Sequence, residues 1–80
     1  MVFLIEYNRQ KGAIVSFKKF KDSDREKVEK KRLKLELDLN RRNIDHEVVL
    51  LEAARESLLR RTHRRYFESA REIARSSIQN

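Results

Sequence analysis

The stretch Val2-Phe3-Leu4-Ile5-Glu6-Tyr7 decides the fold. It is rich in β-branched and aromatic side chains, which favour strands. Successive side chains of a strand point to opposite faces, and both alternating sets are apolar here. A strand that is apolar on both faces is typical of the centre of a sheet. We therefore predict that residues 2–7 form the central strand.

A second strand follows through a short loop. Residues 8–12 read Asn-Arg-Gln-Lys-Gly and include Gly12, the only glycine of the chain. Glycine adopts a positive φ without steric cost, which suits the tip of a hairpin. Residues 13–20 then alternate between apolar positions and more solvent-exposed positions, as in a returning strand. We predict a hairpin of strands one and two.

Residues 32–39 carry two conflicting periodicities. Leucines alternate with charged residues there at period two, which is a strand signal. However, Val28, Leu35 and Leu39 recur at helical spacing, and leucine, lysine, glutamate and arginine are good helix formers. We predict a helix, which places Leu33 and Leu37 on the side opposite Leu35.

The ends of this helix have recognisable signals. Ser23 and Glu26 fit a capping box at the start, and Asn43 is a suitable stop. Residues 44–53 contain the apolar run Val-Val-Leu-Leu, which we predict as the third strand. Residues 54–78 form the last predicted helix, with a buried face made by Leu59, Thr62, Tyr66, Ala70 and Ile73.

These elements predict an α+β fold, ββαβα, in one domain of residues 1–80. A right-handed crossover returns strand three parallel to strand two. The free place lies beside strand one, so the antiparallel sheet has the order 2-1-3, and we expect two helices on one face. The other face would then be apolar and uncovered, and would present either Phe3, Ile5 and Tyr7 or Val2 and Leu4. We take Phe3 and Ile5 as the candidate interface residues. Such a face, together with Leu33 and Leu37, predicts an interface, and a homodimer is the expected partner.

Basic residues outnumber acidic ones by 20 to 13, which gives a net charge of +7. Such an excess favours nucleic acid or another polyanion as a partner. Arginine binds phosphate through paired hydrogen bonds, and the last helix is rich in it. The candidate anion-binding residues are Arg60, Arg61, Arg64, Arg65, Arg71, Arg75, Lys18 and Lys19. The alternative is a solvated face of ion pairs such as Glu56–Arg60, with lysines that protect an edge strand.

Little in the sequence indicates catalysis. His46 and His63 are the only histidines and lack local ligand spacing, so we expect no metal site and no cofactor. The chain has no cysteine, which favours a cytoplasmic location. No apolar run approaches the ~20 residues of a membrane helix, so we expect no membrane partner.

Three functions remain, in descending order of preference. The first is a non-enzymatic, homodimeric interaction module. The second is a nucleic-acid-binding or ribosome-binding module that uses the arginines of the last helix. The third is a small ribonuclease-like toxin with His63 as a general base.

Overall fold

A computed structural model describes residues 1–67. Strands β1 and β2 form a hairpin, a 3₁₀ turn and helix α1 follow, and strand β3 precedes two short helices. The bounds are β1 Val2–Asn8, β2 Ala13–Phe20, the 3₁₀ turn Asp22–Asp24, α1 Arg25–Arg41, β3 His46–Glu52, α2 Glu56–Thr62 and α3 Arg64–Phe67.

The sheet has the predicted order, β2-β1-β3, with β1 antiparallel to both neighbours. Ile5 at its centre pairs with Phe17 on one side and Val49 on the other. Gly12 closes the hairpin with a φ of 64°, as expected from its position. One β-bulge interrupts the β1–β2 register between Glu6 and Tyr7, and Val15 is 53% exposed beside it. The predicted α+β fold and sheet topology are confirmed.

Helices cover both faces of the sheet, and the prediction that both would lie on one face is wrong. One core joins Phe3 and Ile5 to Leu59 of α2 and Tyr66 of α3. The other core joins Val2, Leu4 and Val28, the last of which belongs to α1. The physical reason is the doubly apolar character of β1, since burial of both its side-chain sets requires a helix on each face.

Phe3 and Ile5 are both 0% exposed, so they cannot form the predicted interface in the folded chain. They lie beneath α2 and α3, in contact with the core that includes Tyr7. Both faces of β1 are apolar in the sequence, and the helices that follow β3, rather than a partner, cover the second face.

Helix α1 resolves the ambiguity of residues 32–39 in favour of a helix. Its buried residues are Val28 and Leu39, which pack toward the sheet. Its start differs from the expected capping box, because the N-cap is Asp24 and no side chain caps the helix. Its end is as expected, because Asn43 adopts a φ of 58° and Ile44 donates its backbone N–H to the Leu39 carbonyl at 2.9 Å.

The predicted last helix is interrupted. α2 ends at Thr62, and His63 has φ −123° and ψ 49° before α3 begins. Thr62 is exposed rather than buried, and its hydroxyl donates to the Leu58 carbonyl at 3.0 Å. Such a bond back to the preceding turn bends helices. Of the other predicted residues, Ala70, Arg71, Ile73 and Arg75 lie outside the described residues.

Candidate anion-binding site

An open groove runs along the outer side of α2 and the start of α3. We call it the arginine groove, and it is lined by Arg55, Ser57, Leu58, Arg60, Arg61 and Arg64. Leu59 of the same helix is 0% exposed and packs into the core beneath β1. Leu59 packs inward, so its neighbours Arg60 and Arg61 lie on other sides of α2 and are exposed. Arg64, also exposed, lines the same groove from the start of α3.

Arg60 is held in place within the groove by aromatic rings. Its guanidinium lies 4.6 Å from the ring centre of Phe67 and 5.8 Å from that of Phe17. Its Nε also lies 3.4 Å from a carboxylate oxygen of Glu56, one turn earlier. A guanidinium stacked on rings loses less conformational freedom when it binds an anion, because part of its ordering is already complete.

Arg55 and Arg61 differ from Arg60 in their electrostatic surroundings. Both are exposed, and neither makes an ion pair with any residue between 1 and 67. Arginines gathered around one groove create a positive potential that attracts anions. Their planar guanidinium groups suit the oxygens of a phosphate, which accept paired hydrogen bonds. Chemically, the groove fits a phosphate or a similar oxyanion.

Arg65 does not belong to the arginine groove, although the sequence placed it there. Its guanidinium donates to the two Glu47 carboxylate oxygens at 3.0 and 3.4 Å and lies 4.2 Å from the centre of the Tyr66 ring. Tyr66 also donates its hydroxyl to Glu47 at 3.1 Å. Burial raises the pKa of the Tyr66 hydroxyl, and its bond to Glu47 raises that pKa further. This cluster ties α3 to β3 and has a structural role.

The two candidate lysines of β2 separate onto opposite faces of the sheet. Lys19 pairs with Phe3 and therefore lies on the face that α2 and α3 cover. Lys18 pairs with Leu4 and lies on the face of α1. Since residues two apart on a strand share a face, Lys19 is the neighbour of Phe17, over which Arg60 is placed. Lys19 can extend the positive surface of the arginine groove, whereas Lys18 cannot.

His63 lies next to the groove, at the break between α2 and α3. Its Nδ1 is 2.8 Å from the Thr62 hydroxyl, and within residues 1–67 no carboxylate contacts it. A general base usually has a third group that orients it, and Thr62 is a weak substitute for a carboxylate. The described contacts therefore add no support to the catalytic role considered for His63.

A histidine–carboxylate pair elsewhere escaped the sequence analysis. His46 Nδ1 lies 2.6 Å from Glu6 Oε2, and both side chains are mostly buried. The two residues are 40 positions apart, and only the register of β1 against β3 brings them together. Across residues 1–67, no three or more acidic or histidine side chains are grouped so that they could hold a metal ion.

Comparisons with known proteins give no further assignment. No protein-family model, curated protein or solved structure matches this chain. Every helix within residues 1–67 is too short or too polar to cross a lipid bilayer. The case for a function therefore depends on the geometry of the arginine groove.

Proposed function

We propose that this protein binds nucleic acid through the arginine groove. The observation that carries the proposal is the presence of four arginines around one open groove, two of which have no ion pair among residues 1–67. The alternative interpretation, a surface neutralised by ion pairs, predicts a carboxylate against each arginine. Arg55 and Arg61 lack such a partner in the described part of the chain, whereas Arg60 faces Glu56.

The choice of a polymer over a small anion follows from the shape and extent of the charge. The groove is open, so it offers no enclosure for a small ligand, and Lys19 extends the positive charge toward β2. A net charge of +7 on 80 residues also supports a polyanionic partner. Phosphate contacts of this kind supply affinity without base specificity. We therefore propose a sequence-independent module, and the absence of cysteine supports its place in a reducing compartment such as the cytoplasm.

The sequence favoured a homodimeric interaction module on two grounds, an uncovered apolar sheet face and the exposed leucines of α1. The first ground is absent, because α2 and α3 cover that sheet face. Phe3 and Ile5 are buried within the chain, so of the four predicted interface residues Leu33 and Leu37 are the exposed ones. A dimer and a nucleic-acid-binding module are compatible, because the two functions use opposite faces of the sheet.

The proposal is tested by a double variant with a charge-matched control. Arg55→Gln with Arg61→Gln removes two positive charges from the groove, and Lys11→Gln with Lys21→Gln removes two exposed charges elsewhere. Fluorescence anisotropy with labelled single-stranded and duplex oligonucleotides at low salt gives the affinities. We expect the arginine variant to bind at least about tenfold more weakly, because charge-assisted hydrogen bonds contribute about 1.5–3 kcal/mol each. We expect the lysine variant to stay close to the unmodified protein.

Two outcomes would refute the proposal. One is the absence of binding by the unmodified protein to any oligonucleotide at low salt. The other is an equal loss in the arginine and lysine variants, which would mean that net charge alone, and not the groove, governs binding.

A further inference from the structure

Helix α1 has an exposed apolar face on the side away from the sheet. Leu33 and Leu37 are 55% and 57% exposed, whereas Val28 and Leu39 on the inner side are 0% and 3% exposed. Leucines four residues apart lie one above the other on a helix. A shallow groove runs beside Leu33, between Glu26, Glu29, Lys30 and Arg32.

We propose that this face pairs with the same face of a second copy of the chain, with the two α1 helices parallel. Leu37 then occupies position a of a heptad repeat, and Leu33 occupies position d. The neighbouring core positions are Lys30 at a, and Glu26 and Asn40 at d. Two leucines per helix form the apolar contact. In a parallel pair Glu26, Lys30 and Asn40 each meet their own copy, which lowers the stability of the dimer, and a polar residue at a single a position fixes the register at that cost.

Charge complementarity identifies the occupant as a second copy and sets its direction. The g positions along one flank of the leucines are Glu29 and Glu36, and the e positions along the other flank are Lys27, Lys34 and Arg41; all five side chains are exposed. In a parallel pair, a g residue meets the e residue five positions later in the other helix. Glu29 therefore meets Lys34 of the second copy, and Glu36 meets Arg41 of the second copy.

An antiparallel arrangement lacks this complementarity. In that geometry each flank meets the same flank of the other helix, so glutamates oppose glutamates and basic residues oppose basic residues. Opposed like charges destabilise a helix pair and disfavour that orientation. The parallel pair is the arrangement in which Glu29 and Glu36 both meet a basic residue of the second copy.

Contacts within α1 do not prevent these pairs from forming. Glu29 lies 3.7 Å from Arg25, and Glu36 lies 3.9 Å from Arg32, both as exposed i,i+4 pairs. Exposed ion pairs of this kind contribute little to stability, so the carboxylates can also approach a second copy. Because the apolar contact is small, we expect a weak dimer that forms with rising protein concentration.

This dimer would leave the arginine groove open. α1 covers one face of the sheet, while α2 and α3 cover the other. Pairing through α1 therefore places the two grooves on outer surfaces of the assembly. Two linked grooves on one nucleic-acid strand would increase the apparent affinity through effective concentration. The pairing itself does not depend on nucleic-acid binding.

The first test is the oligomeric state of the full chain by sedimentation velocity, from low to high micromolar concentration. We expect the sedimentation coefficient of the unmodified protein to rise toward that of a dimer. Leu33→Gln with Leu37→Gln should remain monomeric with unchanged circular dichroism, because both side chains are exposed. Val15→Gln, which replaces an apolar residue exposed to a similar degree on β2, should dimerise normally. A monomer at every concentration, or a dimer that survives the leucine substitutions, would overturn the proposal.

The second test determines the direction of the helices. The chain has no cysteine, so single cysteines can be introduced without background. Asn40→Cys and Glu26→Cys each place a thiol at a d position near one end of α1. In a parallel pair, a d position faces the same position of the second copy at a distance that a disulfide can span. In an antiparallel pair, the thiols of these variants lie far apart. Lys31→Cys, on another side of α1, is the control. We expect covalent dimers at positions 26 and 40 on oxidation. No excess over the Lys31 control would refute the parallel arrangement.

Discussion

The contacts of individual arginines distinguish those with a structural role from those available to bind an anion. Arg65 and Arg61 look equivalent in the sequence, yet Arg65 is committed to Glu47 and Tyr66, while Arg61 has no ion pair within residues 1–67. The difference follows from the turn at His63, which directs Arg65 toward β3. A helical wheel drawn through residues 54–78 cannot show this difference.

Tyr66 is expected to make stability depend on pH at the alkaline end. Its pKa is raised in the folded state above the ordinary value of about 10, first by burial and then by the bond to Glu47. The stability that this shift contributes is fully present below about pH 10 and is lost as the pH rises through the folded-state pKa. Tyr66→Phe should cost about 1 kcal/mol near pH 8, where the hydrogen bond is intact.

Urea denaturation of both proteins between about pH 8 and about pH 11 measures this effect. The two proteins share all other ionisable groups, so the difference between their free energies of unfolding isolates Tyr66. We expect that difference to shrink as the pH rises. A difference that stays constant or grows would contradict the assigned role of the hydroxyl.

Among the elements, α1 has the most clearly defined end. Asn43 adopts a left-handed conformation with a φ of 58°, and Ile44 bonds back to Leu39. Left-handed backbone costs roughly 1–2 kcal/mol for most residues, less for asparagine and nothing for glycine. Asn43→Ala should therefore lower the free energy of unfolding by roughly 1 kcal/mol, whereas Asn43→Gly should be neutral or stabilising.

Thermal or urea unfolding of these two Asn43 variants gives the comparison directly. Both replace asparagine with a small side chain, so they differ chiefly in their tolerance of positive φ. Equal stability of the alanine and glycine variants would show that the helix does not end as described.

The elements also show what sequence patterns can predict. The hairpin and the sheet order follow from the two apolar faces of β1, the position of Gly12 and the handedness of the crossover. The interruption at His63 was not predictable from apolar spacing, because Leu59 and Tyr66 continue that spacing across the break. The contact of Glu6 with His46 joins residues 40 positions apart, and that of Glu47 with Arg65 joins residues 18 positions apart. Both depend on strand register and chain direction, which local sequence patterns do not reveal.

At the scale of the whole molecule, the sheet separates two surfaces of different chemistry. One side has the two exposed leucines of α1 with charged flanks, and the other has the arginine groove. Both surfaces are recognisable in the sequence, but apolar spacing alone does not show that the helices lie on opposite faces of the sheet. A helix on each face buries the apolar side chains on both faces of β1 and leaves the two proposed functions on separate surfaces.

The salt dependence of nucleic-acid binding shows whether the arginine groove contacts phosphates. The measurement is the slope of log Kd against log salt concentration on duplex DNA for the unmodified protein, Arg55→Gln/Arg61→Gln and Lys11→Gln/Lys21→Gln. Each phosphate contact contributes about 0.9 to this slope. We predict that the slope falls by about 1.8 in the arginine variant, for two lost contacts, and hardly changes in the lysine variant. Equal slopes for all three proteins would mean that Arg55 and Arg61 make no phosphate contacts and that the arginine groove is not the binding site.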